Sequence, residues 1–196
     1  MAVNEAESLR AFIAVELCDY VRQELKELEN LLKKLTNITA KWVPPENMHL
    51  TIIFLGQVPG IKIRLVERAL AETGGKFDSF HLGLSKLGAF PNMTRPRTLW
   101  VGLDGDVAKL LLLHKSLSEK IESLGFKLEN RHFSPHLTLA RIRGEATESD
   151  IRVLPKAVSQ IKVTPINFEV KGLSLIESRL LAGGPVYSAL YHREFG

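Results

Sequence analysis

Two tetrapeptides carry the residues best suited to proton transfer, His49-Leu50-Thr51-Ile52 and His136-Leu137-Thr138-Leu139. Each sits in an apolar run of strand character, MHLTIIFLG at 48–56 and PHLTLARI at 135–142. Side chains alternate faces along a strand. His49 and Thr51 are therefore expected on one face, with Leu50, Ile52 and Phe54 on the other. His136 and Thr138 are expected to share a face opposite Leu137 and Leu139. Histidine, with an ordinary pKa of ~6.5, can give or take a proton at neutral pH. Two of them flanking one substrate can act as general acid and general base, each worth about 10²–10⁴-fold in rate. The threonine hydroxyls can donate hydrogen bonds to oxygens that gain charge in the transition state. Acid, base and two such donors suit attack on a phosphodiester, and the scheme requires neither a metal nor another cofactor.

A lone HLT tripeptide in a strand is ordinarily structural; two copies in matching contexts are what point to chemistry. A metal site is the competing reading. His132 and His136 have HxxxH spacing, but Pro135 interrupts it and the following residues are strand-like. No third carboxylate or cysteine stands at suitable spacing, so no metal is expected.

The elements that must position these pairs are read from patterning. Residues 9–17 read as a buried strand. Asp19 offers an N-cap for an amphipathic helix reaching about Asn37, with Val21, Leu25, Leu28, Leu32 and Leu35 on its apolar stripe. Pro44-Pro45 enforce an extended entry to the first His-Thr strand, and Gly56 with Pro59-Gly60 closes it. A helix over 61–73 and a strand over 77–88 come next, then a turn-rich segment. The order then restarts: a strand over 98–103, and a helix capped near Asp106 with Val107, Leu110, Leu111, His114, Leu117, Ile121 and Leu124 along one stripe. The second His-Thr strand comes after it, then a helix over 148–160 with Pro155 as its weak point, and closing strands near 166–176 and 186–194. Both halves read strand, helix, His-Thr strand, helix, strand, which is a duplication in element order. A pseudo-two-fold axis between the halves would bring both His-Thr pairs to one cleft.

The chain has 196 residues, 45% hydrophobic and 24% charged, an ordinary balance for one globular domain. Its net charge of +4 suits a polyanionic partner, and the absence of long like-charge runs favours a localised anion pocket over an extended track. No apolar run approaches the ~20 residues of a membrane helix. The opening MAVNEAESLR is acidic and polar where a signal peptide would be basic and then apolar, so a cytoplasmic protein is expected. The single Cys18 cannot form an internal disulfide and is expected to be a small buried hydrophobe.

HLTIIFLG and HLTLAR resemble the paired HxTx motifs of the two-histidine (2H) phosphoesterase superfamily. RAFIAVEL, FPNMTRPRTLWVGL and LIESRLLAGGPVYSAL are similar to segments of its RNA 2′,3′-cyclic phosphodiesterases, also called the 2′-5′ RNA ligase family. Cys18 departs from a common proline. The resemblance implies a single bilobal α+β domain over 1–196. In it two antiparallel sheets face across a central cleft, helices pack outside, and the first and last strands share a lobe. It implies hydrolysis of RNA 2′,3′-cyclic phosphate ends to 2′-phosphates, with 2′-5′ ligation also known for the family. On that basis His49 protonates the departing O3′, His136 activates water, and Thr51 and Thr138 hold the non-bridging oxygens. RNA with a cyclic phosphate terminus is the expected partner, and a monomer is expected. A non-catalytic RNA-end binder and an enzyme of small cyclic-phosphate metabolites are the alternatives.

Further substrate contacts are expected from Arg141, Arg97 and Phe12. Arginine clamps phosphate bidentately, yet strict alternation gives Arg141 the parity of Leu137 and Leu139; only a strand end or a bulge would turn it to the cleft. Arg95 and Arg97 flank the middle turn, and Arg179 is a further basic candidate. Phe12, Phe90 and Phe133 are aromatic candidates for stacking bases. His114, on a helix stripe, is expected to be a packed structural histidine.

Overall fold

The computed structural model describes residues 7–129, 132–142, 144 and 146–196. The N-terminal residues 1–6 lie outside that set. Strand β1 (Ser8–Glu16) leads to helix α1 (Asp19–Leu35), a short strand β2 (Ala40–Trp42), strand β3 (His49–Pro59), helix α2 (Gly60–Gly74) and strand β4 (Phe80–Phe90). The second half continues through β5 (Thr98–Gly105), α3 (Val107–Ser123), β6 (His136–Ile142), α4 (Glu148–Gln160), β7 (Asn167–Val170), β8 (Gly172–Leu181) and β9 (Gly184–Glu194).

The strands form two antiparallel sheets, ordered β3-β1-β8-β9 and β2-β6-β5-β4-β7. The run β3-β1-β8 in one sheet corresponds to β6-β5-β4 in the other. Each half thus sends its third main strand into the sheet of the opposite half: β4 pairs with β5, and β8 pairs with β1. The lobes are not the sequence halves, and neither can form without the other. One continuous core results, running from Ile13 and Val15 through Leu25, Leu50 and Val66 to Leu110, Leu137, Leu154 and Leu175.

Local sequence explains most of the elements. The α1 stripe buries Val21, Leu25, Leu28 and Leu32, and Lys33 and Lys34 in the last turn face the negative end of the helix dipole. Leu35, at the helix end, is exposed. The cap position belongs to Cys18 and not to Asp19, which starts the helix. Cys18 is exposed because the chain leaves β1 there at the surface, contrary to the buried site expected for it. Thr147 and Asp150 form a reciprocal capping box on α4, and Pro155 is accommodated without ending the helix. On α3 the buried stripe is Leu110, Leu113, Leu117 and Ile121, whereas Leu111 is exposed, so the stripe lies further round the helix than expected.

Two strand boundaries also differ from expectation. Strand β3 continues through Gly56, at φ +69, to Pro59. The segment at 166–176 breaks at Lys171 into β7 and β8, which join different sheets. No apolar pattern marks that break, because Phe168 and Val170 of β7 and Leu173 and Leu175 of β8 all enter the same core, and β8 is buried on both faces through Glu177.

Gly88 couples this frame to the second histidine strand. Across the ladder it opposes Trp100, and a Cβ added there would collide with the Trp100 ring. Gly88→Ala is expected to cost about 1–3 kcal/mol by overpacking. Urea unfolding should show a lower midpoint at an unchanged m-value; an unchanged midpoint would show that Trp100 moves aside freely.

Candidate active site

The two His-Thr strands come from different sheets and approach one another across the cleft. His49 and Thr51 lie half-buried on the concave face of the first sheet, with Leu50 and Ile52 buried behind them. His136 and Thr138 repeat the arrangement in front of Leu137 and Leu139. The apolar partners hold each strand against the core, so the polar residues are left to face the cleft.

Each ring is held by the same device. His49 Nδ1 lies 2.8 Å from the carbonyl oxygen of Asn47, and His136 Nδ1 lies 2.8 Å from that of Ser134. A carbonyl can only accept, so each Nδ1 carries the proton. Each Nε2 is then the basic nitrogen in the neutral ring. Aromatic rings fix the remaining freedom. Phe12 stacks on His49 at 4.6 Å between centroids, and Tyr187 meets it edge-on at 5.2 Å. Phe90 meets His136 edge-on at 4.9 Å, with Trp100 at 6.4 Å.

Burial pushes the His49 pKa down to about 4; the bond to Asn47 opposes this, and the Arg141 charge adds to it. His136 is lowered by burial too, with Ser134 opposing and Arg141 adding. Burial thus favours the neutral imidazole at both positions. Burial raises the Tyr187 phenol, partly offset by Arg141 and Arg10.

The two strands share an irregularity that simple alternation conceals. In the β1–β3 ladder Ile13 opposes Ile53 but Ala14 opposes Thr51, leaving Ile52 as the extra residue of a bulge. In the β5–β6 ladder Leu99 opposes Ala140 but Trp100 opposes Thr138, so Leu139 is extra at the corresponding place. A bulge reverses the facing of the residues beyond it. Phe54, expected on the buried face, is instead 56% exposed and lies 6.2 Å from Phe12 on the concave side. Arg141 is turned the same way, and its charge reaches both histidines and Tyr187.

The remaining expected contacts divide. Phe12 is 3% exposed, its ring covered by His49, Phe54 and Tyr187, so it has no open face for a base and acts as the support of His49. Arg97 lies just outside β5 with an exposed side chain; its backbone N–H donates to Phe90 O at 2.7 Å, beside His136. Arg95 sits in the turn organised by Asn92, and Arg179 is bound to Glu177. Phe133 stacks on His114 at 4.0 Å, which gives that histidine a packing partner. Asn47 and Tyr187 were not legible as site residues. Asn47 holds His49 through its carbonyl while its amide donates to Pro185 O at 3.1 Å, tying the β8–β9 hairpin to the cleft. The repeated offset of two residues before each histidine was the available signal for Asn47 and Ser134. Among the described residues no cluster of three or more His, Cys, Asp or Glu side chains could hold a metal ion.

Two antiparallel sheets thus bring paired His-Thr strands to one cleft. A family model described as LigT like Phosphoesterase matches this chain twice, over residues 15–100 and 101–187. The chain belongs to that family, and the double match reproduces the internal duplication. An RNA 2′,3′-cyclic phosphodiesterase of Thermotoga maritima is 31% identical, over 95% of this chain and 96% of its own length. Another, from Archaeoglobus fulgidus, is 33% identical over 93% of this chain and 98% of its own length. Among solved structures, TT0787 of Thermus thermophilus superposes with a TM-score of 0.78 at 27% identity, covering 95% of this chain and 98% of that one. LigT of E. coli complexed with 3′-AMP gives 0.71 at 25% identity, covering 96% and 99%.

The depressed His49 pKa makes a stability prediction. Between about pH 6.5 and 4 the unfolded chain binds a proton at this position that the folded chain refuses. Its contribution is present above pH 6.5 and is lost on acidification, by about 2 kcal/mol on going down to pH 5. Unfolding free energies at pH 7 and pH 5 should therefore differ more for the wild type than for His49→Asn. Equal differences would place the imidazole in a more hydrated setting.

Proposed function

We propose that this protein hydrolyses 2′,3′-cyclic phosphate ends of RNA to 2′-phosphates by acid–base catalysis between His49 and His136. The observation that carries the reading is the matched pair of Nδ1–carbonyl bonds, which frees an Nε2 on each of two strands that approach across the cleft. The relatives described as RNA 2′,3′-cyclic phosphodiesterases support the choice of substrate.

The cyclic phosphate lies between the two rings. His136 Nε2 takes a proton from water as the oxygen attacks phosphorus, and His49, protonated at Nε2, gives its proton to O3′ as the P–O3′ bond breaks. The product keeps the phosphate on O2′. The more deeply buried His49 is the stronger acid once protonated, which suits donation to an alkoxide; the less buried His136 is better placed to accept from water. Thr51 and Thr138 donate to the non-bridging oxygens, and Arg141 offsets their negative charge. Phe54 presents an open ring for the terminal base. The same groups in the same roles would let a 5′-hydroxyl take the place of water, losing its proton to His136 as O3′ leaves, and form a 2′-5′ linkage.

The test is turnover of an RNA ending in a 2′,3′-cyclic phosphate, with EDTA present, followed by product identification. His49→Ala and His136→Ala are each expected to lower kcat by about 10²–10⁴-fold, and each should remove one limb of the pH–rate profile. Thr51→Ala and Thr138→Ala should cost about 10²-fold or more. No turnover by the wild-type protein would sink the reading, and loss of activity to EDTA would replace it with a metal-dependent one.

A further inference from the structure

Three cations, Arg10, Lys41 and Arg141, lie on the concave side. Lys41 and Arg141 are direct cross-strand partners in the β2–β6 ladder and so share a face. Lys41 Nζ lies 3.4 Å from where a Cβ on Gly184 would sit, at the β8–β9 turn that arches over from the other sheet. Arg10 alternates with Phe12 along β1 and is therefore on the cleft side of its strand. Its charge and that of Arg141 both bear on Tyr187, whose ring touches Phe12 and His49. Among the described residues none of the three cations has a carboxylate within ion-pair distance, although ten other ion pairs of lysine or arginine form elsewhere on the molecule. Like charges gathered without counter-ions repel, and an arriving anion relieves that cost.

We propose that Arg10 and Lys41, with Arg141 shared between the two phosphates, form a second phosphate subsite, which holds the internucleotide phosphate next to the cyclic end and makes the protein select an RNA terminus over a cyclic mononucleotide. This rests on the function proposed above. Because Leu139 is extra in the ladder, Arg141 stands two pairing steps beyond Thr138, about 7 Å along the strand at ~3.3 Å per residue, and long side chains reaching from there cover one nucleotide step. The subsite draws on both sheets, Arg10 from one and Lys41 with Arg141 from the other, so a chain of at least two nucleotides bridges the lobes beside the hairpin turn.

Binding of reaction products separates this from the chemistry. A dinucleotide ending in a 2′-phosphate and the corresponding mononucleotide 2′-phosphate are titrated into wild type, Arg10→Met and Lys41→Met by calorimetry. Both positions are exposed, so neither change threatens the fold. The wild type should bind the dinucleotide about tenfold more tightly, the scale of one charge-assisted hydrogen bond. Its logarithmic salt slope should also be steeper by about 0.7. Each variant should lose that advantage while keeping its affinity for the mononucleotide. Equal affinities in the wild type, or an advantage that survives both substitutions, would overturn the subsite. Absence of turnover on either cyclic substrate bears instead on the proposed reaction, since these titrations involve none.

Discussion

The hydrogen bond from each histidine Nδ1 to the carbonyl two residues before it is the constraint on which the site depends. A neutral imidazole has one donor and one acceptor, and which nitrogen is which decides whether it can work on a substrate. Fixing Nδ1 as the donor leaves Nε2 free. Because the carbonyl belongs to the same strand entry as the ring, the backbone turn and the tautomer are set together. The bond recurs at the same offset and length in both copies.

Strand exchange makes the pair of copies into one site. If each half kept its own three strands, a lobe could form alone and its histidine would be carried on a separate body. Sending β4 to the opposite sheet and β8 to the first removes that possibility. The matching bulges at Ile52 and Leu139 then differentiate the copies. Five residues beyond each histidine the chain turns a side chain to the cleft, Phe54 in one copy and Arg141 in the other. A symmetric scaffold thereby becomes an asymmetric cleft, with an apolar ring on one side and a cation on the other.

The histidine and threonine pairs were legible because a polar face on an apolar strand needs no tertiary information, only the period of two. The strand exchange could not be read from the sequence, but the resemblance implied part of it, in placing the first and last strands in one lobe. Strict alternation puts Phe54 and Arg141 on the wrong face for one physical reason: a bulge adds a residue to the ladder without leaving a compositional mark, and both bulges fall inside runs of apolar residues. The exposed Cys18 runs against expectation because a single cysteine carries no pattern, and burial statistics stand in for one. Strand β2 was hidden by its length, three residues at a sheet edge before Pro44-Pro45. Tyr187 escaped because its partners, Phe12 and His49, come from strands that only the curl of the β8–β9 hairpin brings to it.

A buried pair of neutral histidines raises the question of where the acid's proton comes from. With a pKa near 4, protonating His49 at pH 7 costs about 4 kcal/mol. An anionic oxygen about 4 Å away, at an effective dielectric near 20, returns ~4 kcal/mol. The two magnitudes are of the same order, so a bound phosphate favours charging a ring that burial otherwise keeps neutral. Arg141 works against this by repelling the imidazolium, yet it also holds the anion in place. On the proposed mechanism, His49 therefore becomes a competent acid chiefly when the phosphate is bound.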